Sequence, residues 1–292
     1  MEVDRRSLMK GLLAGGALLA LGTPPWAFAA EPGRKAKQIL LFLGSTSADD
    51  AVAKGVSAAG TAVGYGRVQA VKVNGGLLSD PDGMVALLEQ SKGLRWIAVM
   101  DDAAASVFQE LARSAGGRLL SIGTHACSTD ASCPLRHAWL TVSPAQGMGG
   151  LLASQLIGRQ GSFSITESFL QEPLEGRAPA SWSAPGFCSY RLTGPDAMHL
   201  HCSGLSLPES GRLLGLDTTE GWTPIPLQVC KRDFVAWQAE SWIESVGYAV
   251  TATALGVHSV RESCSARAFV HQSQNDERIQ PTERFVSFVM DL

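Results

Sequence analysis

The sequence predicts an α/β fold: a flavodoxin-like parallel sheet with helices on both faces, followed by a smaller disulfide-containing α+β domain. Two observations carry the first part. Short apolar runs alternate with amphipathic stretches of helical period from residue 37 to about 160, and glycine or proline punctuates each exchange. The second part rests on a change of pattern after Gly161, where prolines, short strand-like runs and most of the cysteines gather.

Gln38 to Leu43 reads as a buried strand, and a helix from about Ala48 to Val63 follows with Asp49 and Asp50 in its first turn. Arg67 to Val73 is a second strand. Asp80 to Gln90 is a second helix, started by Ser79-Asp80-Pro81-Asp82, which supplies a capping residue and a proline in the first turn. Trp96 to Met100 is a third strand and Ala103 to Ala115 a third helix, ended by Gly116-Gly117. Leu119 to Ile122 and Ala138 to Val142 read as further strands, and Pro144 to Ile157 as a fourth helix. Beyond Gly161, residues 171–186 read as loop. Phe187 to Leu192 and Met198 to Cys202 are short strands, Pro208 to Leu216 a turn, and Phe234 to Leu255 a long helix with an apolar stripe through Trp237, Trp242, Val246, Ala249 and Val250. Arg267 to His271 and Phe285 to Met290 close the chain as strands. The expected organisation is a leader over 1–29, one domain over 37–160 and a second over 161–292.

Two motifs bear on family and destination. Ile97-Ala98-Val99-Met100-Asp101-Asp102-Ala103-Ala104, Leu111 to Gly117, Gly123-Thr124-His125 and Gly147 to Ala153 together resemble one lobe of the type I periplasmic solute-binding proteins. No second βαβ lobe follows, so the two-lobed clamp of that family is not expected. Asp4-Arg5-Arg6-Ser7-Leu8-Met9-Lys10, a short apolar segment to Leu21 and the small-residue pattern Ala27-Phe28-Ala29 resemble a twin-arginine export signal, cut near Ala29. The apolar segment is shorter than the roughly 20 residues a spanning helix needs. The resemblance implies a periplasmic protein that meets the Tat translocase during export and has no stable membrane span.

Removing residues 1–29 takes away three basic and two acidic residues, leaving 21 basic and 25 acidic and a formal charge of −4. A weakly acidic chain without a Lys/Arg cluster is not a nucleic-acid binder. Charged residues make up 17% and apolar ones 45%, a balance that excludes disorder. All six cysteines, Cys127, Cys133, Cys188, Cys202, Cys230 and Cys264, belong to the mature chain, where an oxidising compartment favours disulfides. Cys188 and Cys202 flank the turn signal Thr193 to Ala197, and a hairpin centred on Pro195 would set them opposite each other. Cys127 with Cys133, and Cys230 with Cys264, complete the expected set.

The carboxyl edge of a parallel sheet is the natural ligand position. There the sequence places Ser45, Thr46, Ser47, Asn74, Asp101, Asp102, Thr124 and His125, a set suited to a small polar ligand, with an anion held on a helix N-terminus. Helix capping by Ser47 and Asp101-Asp102 is the competing account. The same edge offers Ser45, Ser47 and His125, oriented by Asp101 or Asp102, for hydrolysis, although no nucleophile-elbow motif is present. Two metal-ligand groupings also occur. His125, Cys127, Cys133 and His137 could form a tetrahedral site. Met198-His199-Leu200-His201-Cys202 carries ligands that suit copper, but a strand puts His199 and His201 on one face and Met198 and Cys202 on the other. Trp182, Trp222, Trp237 and Trp242, with Phe187 and Tyr190, form either core or a partner platform. The expectation is an exported, non-catalytic protein that binds a small polar molecule or a periplasmic partner. Hydrolysis and metal binding or metalloenzyme assistance are the alternatives, and no cofactor motif is recognisable.

Overall fold

A computed structural model describes residues 38–62, 65, 68–73, 75–127, 135–141, 152, 162–169, 187–194, 197–226, 237–255, 264–271 and 284–292. The export signal, Asn74, Cys133, Cys230, the expected helix over 144–157 and the loop over 171–186 lie outside the described residues.

The elements are β1 (Ile39–Leu43), α1 (Asp49–Ala62), β2 (Gln69–Lys72), a 3-10 turn (Leu77–Ser79), α2 (Pro81–Gln90), β3 (Arg95–Met100), α3 (Asp102–Ser114), β4 (Arg118–Cys127) and β5 (Leu135–Thr141). They continue with β6 (Ser162–Phe169), β7 (Phe187–Leu192), β8 (Met198–Ser203), α4 (Leu207–Leu214), β9 (Trp222–Pro224), α5 (Trp242–Ala254), β10 (Cys264–His271) and β11 (Arg284–Asp291).

The expected fold class is overturned. All eleven strands form one mixed sheet, in the order β2-β1-β3-β11-β4-β5-β10-β6-β8-β7-β9. Only β1 pairs in parallel, with β2 on one side and β3 on the other. Every other pairing is antiparallel. The alternation of strand and helix up to residue 114 is real, but it produces three parallel strands and then stops. β11, from the end of the chain, lies between β3 and β4, and β10 lies between β5 and β6, so strands from either side of residue 160 share one ladder. The local sequence of β11 carried part of this: seven of its eight residues are buried, as a central strand covered on both faces requires. Its neighbours depend on contacts nearly two hundred residues apart, which no local pattern encodes.

Helices cover both faces. α1 and α5 bury Val52, Val56, Ala59, Trp242, Val246 and Ala249 against Ile39, Leu41, Ile97, Val99 and Val289. On the other face α2 and α3 bury Met84, Leu88, Ala104 and Phe108 against Phe42, Trp96, Met100 and Phe288. The α1–α5 crossing is very close. A Cβ on Gly55 would lie 2.1 Å from the Glu244 carbonyl oxygen, and one on Gly247 would lie 2.6 Å from that of Val52.

α5 begins at Trp242, later than the expected Phe234, because Ser241 takes an extended conformation and accepts from the Glu244 N–H. The expected turn over Pro208–Leu216 is instead α4. Ser206 and Glu209 form a capping box, proline sits in the first turn, and Gly215 closes the helix in the left-handed region (φ 68°). The expected Cys188–Cys202 disulfide is also corrected. Cys188 and Cys202 do stand opposite each other in the β7–β8 register, yet both are free thiols. Directly opposed strand residues hold their Cβ atoms about 4.5–5.5 Å apart, wider than the roughly 3.8 Å of a typical disulfide. Cys202 is buried on the α4 side of the sheet, and burial raises its thiol pKa. Among the described residues no helix is long and apolar enough to cross a membrane.

Candidate metal centre

The sheet register places two polar clusters on the face covered by α1 and α5. In one row, Phe285, His125, His137, Ala268, Ile165, His201 and Ser189 lie side by side across β11, β4, β5, β10, β6, β8 and β7. In the next, Ser287, Gly123, Trp139, Ala266, Glu167, His199 and Arg191 do the same. The two alanines of β10 separate the clusters, so His137 and His201 are three strand spacings apart, about 14 Å.

The first cluster is closed. His125 and His137 join through their Nδ1 atoms at 2.9 Å, and His125 Nε2 meets Ser287 Oγ at 2.8 Å. Trp139 stacks on His137, while Trp242 and Phe285 close the other sides. Gly123 is required here, since a Cβ would lie 2.7 Å from the Trp139 ring and 2.8 Å from His125 Nε2. Burial, reinforced by the neighbouring His137, holds the His125 pKa well below its ordinary value, and burial lowers that of His137 to about 3. Both rings are therefore neutral at ordinary pH, and a single proton bridges them. The cheaper arrangement has His137 donating to His125 and His125 donating to Ser287. It leaves His137 Nε2 as an unfilled acceptor, which costs less than an unfilled buried N–H.

The second cluster is built for ligation. His201 Nε2 is 3.0 Å from Glu167 Oε2, and His201 Nδ1 is 2.7 Å from Ser189 Oγ. His199 Nδ1 lies 3.8 Å from the same Glu167 oxygen, too far for a hydrogen bond, and this buried atom has no hydrogen-bond partner. One donor atom from each of Glu167, His199 and His201 falls within 4.8 Å of the others. A divalent ion with bonds of about 2.0–2.1 Å needs its donors roughly 2.9–3.4 Å apart. The Glu167–His201 edge already meets that spacing, the Glu167–His199 edge needs closure of a few tenths of an ångström, and the His199–His201 edge lies within 4.8 Å. Ser189 on the far nitrogen of His201 supplies the outer-shell bond that fixes a ligating imidazole. Aromatic walls complete the site: Phe187 stacks on His201, and Phe169 meets His199 edge-on. Glu167 and His201 are buried, whereas the His199 side chain is 18% exposed, so the site opens on the His199 side.

The expected edge residues fall elsewhere. The N–H groups of Ser45 and Thr46 do form an anion-binding turn, with Ser45 in the left-handed region (φ 64°), but both donate to the Asp49 carboxylate at 3.1 Å. Thr46 Oγ1 donates to it as well, and Lys72 lies 3.7 Å away. Ser45 Oγ donates to the Val73 carbonyl, and Ser47 is exposed. Asp101 caps α3 through the Ala104 N–H at 2.8 Å, and Asp102 pairs with Arg284 at 2.7 Å. Thr124 and His125 stand one strand beyond β11, on opposite faces of the sheet, and only His125 enters a cluster. Of the four residues His125, Cys127, Cys133 and His137, the two histidines meet each other, and Cys127 occupies the next position along the same face.

The shared face of His199 and His201 follows from strand period and is found. Glu167 and Ser189 are the residues missed. Residues 162–169 alternate polar and apolar, with Phe163, Ile165 and Phe169 inward, and Glu167 occupies an inward position. A carboxylate on the apolar phase of a strand is the signal that would have found it. No protein-family model matches this chain, and a search of curated proteins finds no match.

Proposed function

We propose that this is an exported metal-binding protein that holds one divalent first-row ion through Glu167, His199 and His201. The observation that carries the reading is His199 Nδ1: a buried nitrogen without a hydrogen-bond partner, facing a buried carboxylate that a second imidazole already touches. Leaving such an atom unfilled costs about 1–3 kcal/mol, and an ion between the three groups removes that cost. Two imidazoles and one carboxylate, without thiolate, suit zinc, and also iron(II) or copper(II). The resemblance of residues 4–29 to a twin-arginine signal supports the reading, because such cargo leaves the cytoplasm folded and can acquire its metal before crossing. The small polar ligand expected at the edge of the parallel strands is disfavoured, since Asp49 already fills the turn that would hold an anion.

Stripping the mature chain with a chelator and titrating zinc or cobalt(II), followed by native mass spectrometry, tests the assignment. One ion per chain is expected, with at least a hundredfold weaker binding in Glu167→Gln and in the double variant His199→Ala with His201→Ala. Equal affinity in wild type and double variant would refute it. Because protons compete with the ion for the same imidazole nitrogens and carboxylate oxygen, affinity should fall as pH is lowered.

A further inference from the structure

The metal-binding reading leaves two questions that the surroundings of the site answer: what completes the coordination, and from which side. Among the described residues the centre has three protein donors, the arrangement of an open site, since a closed structural site normally takes four. Two neutral imidazoles and one carboxylate leave a net positive charge on a divalent ion. Among the described residues the site opens past His199, because Glu167 and His201 are buried.

Arg191 stands at that opening. It is the direct cross-strand partner of His199 in the β7–β8 ladder, on the same face, as Glu167 is on the β6 side. Opposed strand residues hold their Cβ atoms about 4.5–5.5 Å apart. Arg191 is exposed, its Nε donates to Thr223 Oγ1 at 3.4 Å, and it makes no ion pair among the described residues. Three other arginines on this sheet are committed to carboxylates: Arg95 and Arg118 to Asp291, Arg284 to Asp102. A guanidinium without a carboxylate beside the mouth of a cationic centre is a receptor for a second anion, and its planar fork matches a carboxylate or phosphate.

We propose that the centre takes an oxyanion, through a carboxylate or phosphate oxygen, in the position Glu167, His199 and His201 leave open, with the Arg191 guanidinium paired to the same anion. This rests on the metal-binding reading. The aromatic walls Phe169 and Phe187 limit the ligand to a small group and make water a poor competitor for the charge. Ser189, behind His201, keeps that ring fixed while the anion exchanges.

Cobalt(II)-loaded mature protein supplies the readout, because its visible bands respond to a new oxygen ligand independently of any activity. Titration with inorganic phosphate and, separately, with oxalate should give a saturable band shift, and whichever anion binds more tightly identifies the source class. Arg191→Ala should bind cobalt(II) within about twofold of wild type yet lose about tenfold or more in anion affinity, the size of one hydrogen bond to a charged group. Arg191→Lys should fall between the two, and far-UV circular dichroism checks that each variant is folded. An unaltered spectrum in wild type with both anions, or equal anion affinity in Arg191→Ala, would overturn the proposal while the metal site stands. Failure to bind cobalt(II) at all would overturn both readings.

Discussion

At the scale of single residues, charge in the interior is held in two different ways. Asp49 is buried and satisfied by two backbone N–H groups and a threonine hydroxyl, so a loop sequence resembling an anion site is occupied by the chain's own carboxylate. His125 and His137 avoid charge altogether. Their folded pKa values lie below the unfolded value of about 6.5, so the unfolded chain binds more protons in acid. Stability from this pair is full above pH 6.5 and declines as pH falls toward 3, by up to about 1.4 kcal/mol per pH unit for each ring. Urea unfolding of His137→Leu should therefore show a shallower decline between pH 7 and pH 5 than wild type. Parallel declines would mean that the pair is not neutral in the native state. The pair's existence was only half legible. Strand alternation puts His137 on the same phase as Trp139, but its partner was set by the β4–β5 register.

At the scale of elements, signals at helix ends were the most readable feature. Asp80 before Pro81 and Asp101 before Asp102 start α2 and α3 where the sequence places them, each through a carboxylate accepting an N–H three residues on. The capping box Ser206–Glu209 was equally explicit, although Pro208 and Gly211 make the segment look like a turn. Close packing of elements was hidden. Gly55 and Gly247 look like weaknesses in two helices but are the contact points between them. Alanine at Gly247 would gain about 1 kcal/mol in helix propensity and lose about 1–3 kcal/mol to overpacking against the Val52 carbonyl. We expect Gly247→Ala to lower the thermal midpoint, and a raised midpoint would show that the helices can separate without cost. β6 gives the same lesson for the site. Its alternation was readable, and Glu167 on the inward phase marked a buried carboxylate that needed partners, which the neighbouring strand β8 supplies.

At the scale of the molecule, β11 ties the beginning of the sheet to its middle. Asp291 at its end accepts from both Arg95 and Arg118, on the strands either side. Arg95 also donates to the Ala254 carbonyl at the end of α5, so one buried carboxylate fixes two strands and a helix. A chain truncated before Arg284 would expose the facing edges of β3 and β4 and should lose cooperative thermal unfolding. A cooperative transition in that truncation would show that β1 to β4 form a core without it. The sequence by itself determined most of the individual strands and helices, the caps of α2 and α3, and the common face of His199 and His201. These depend on residue spacing and local hydrogen bonds, which neighbouring residues specify. Tertiary structure alone decided that the sheet is mixed, that Glu167, Ser189 and Arg191 surround the two histidines, and that Cys188 and Cys202, opposed as the hairpin predicts, do not bond. Each of these rests on a register between segments far apart in the chain, where a shift of one residue would turn every side chain to the other face.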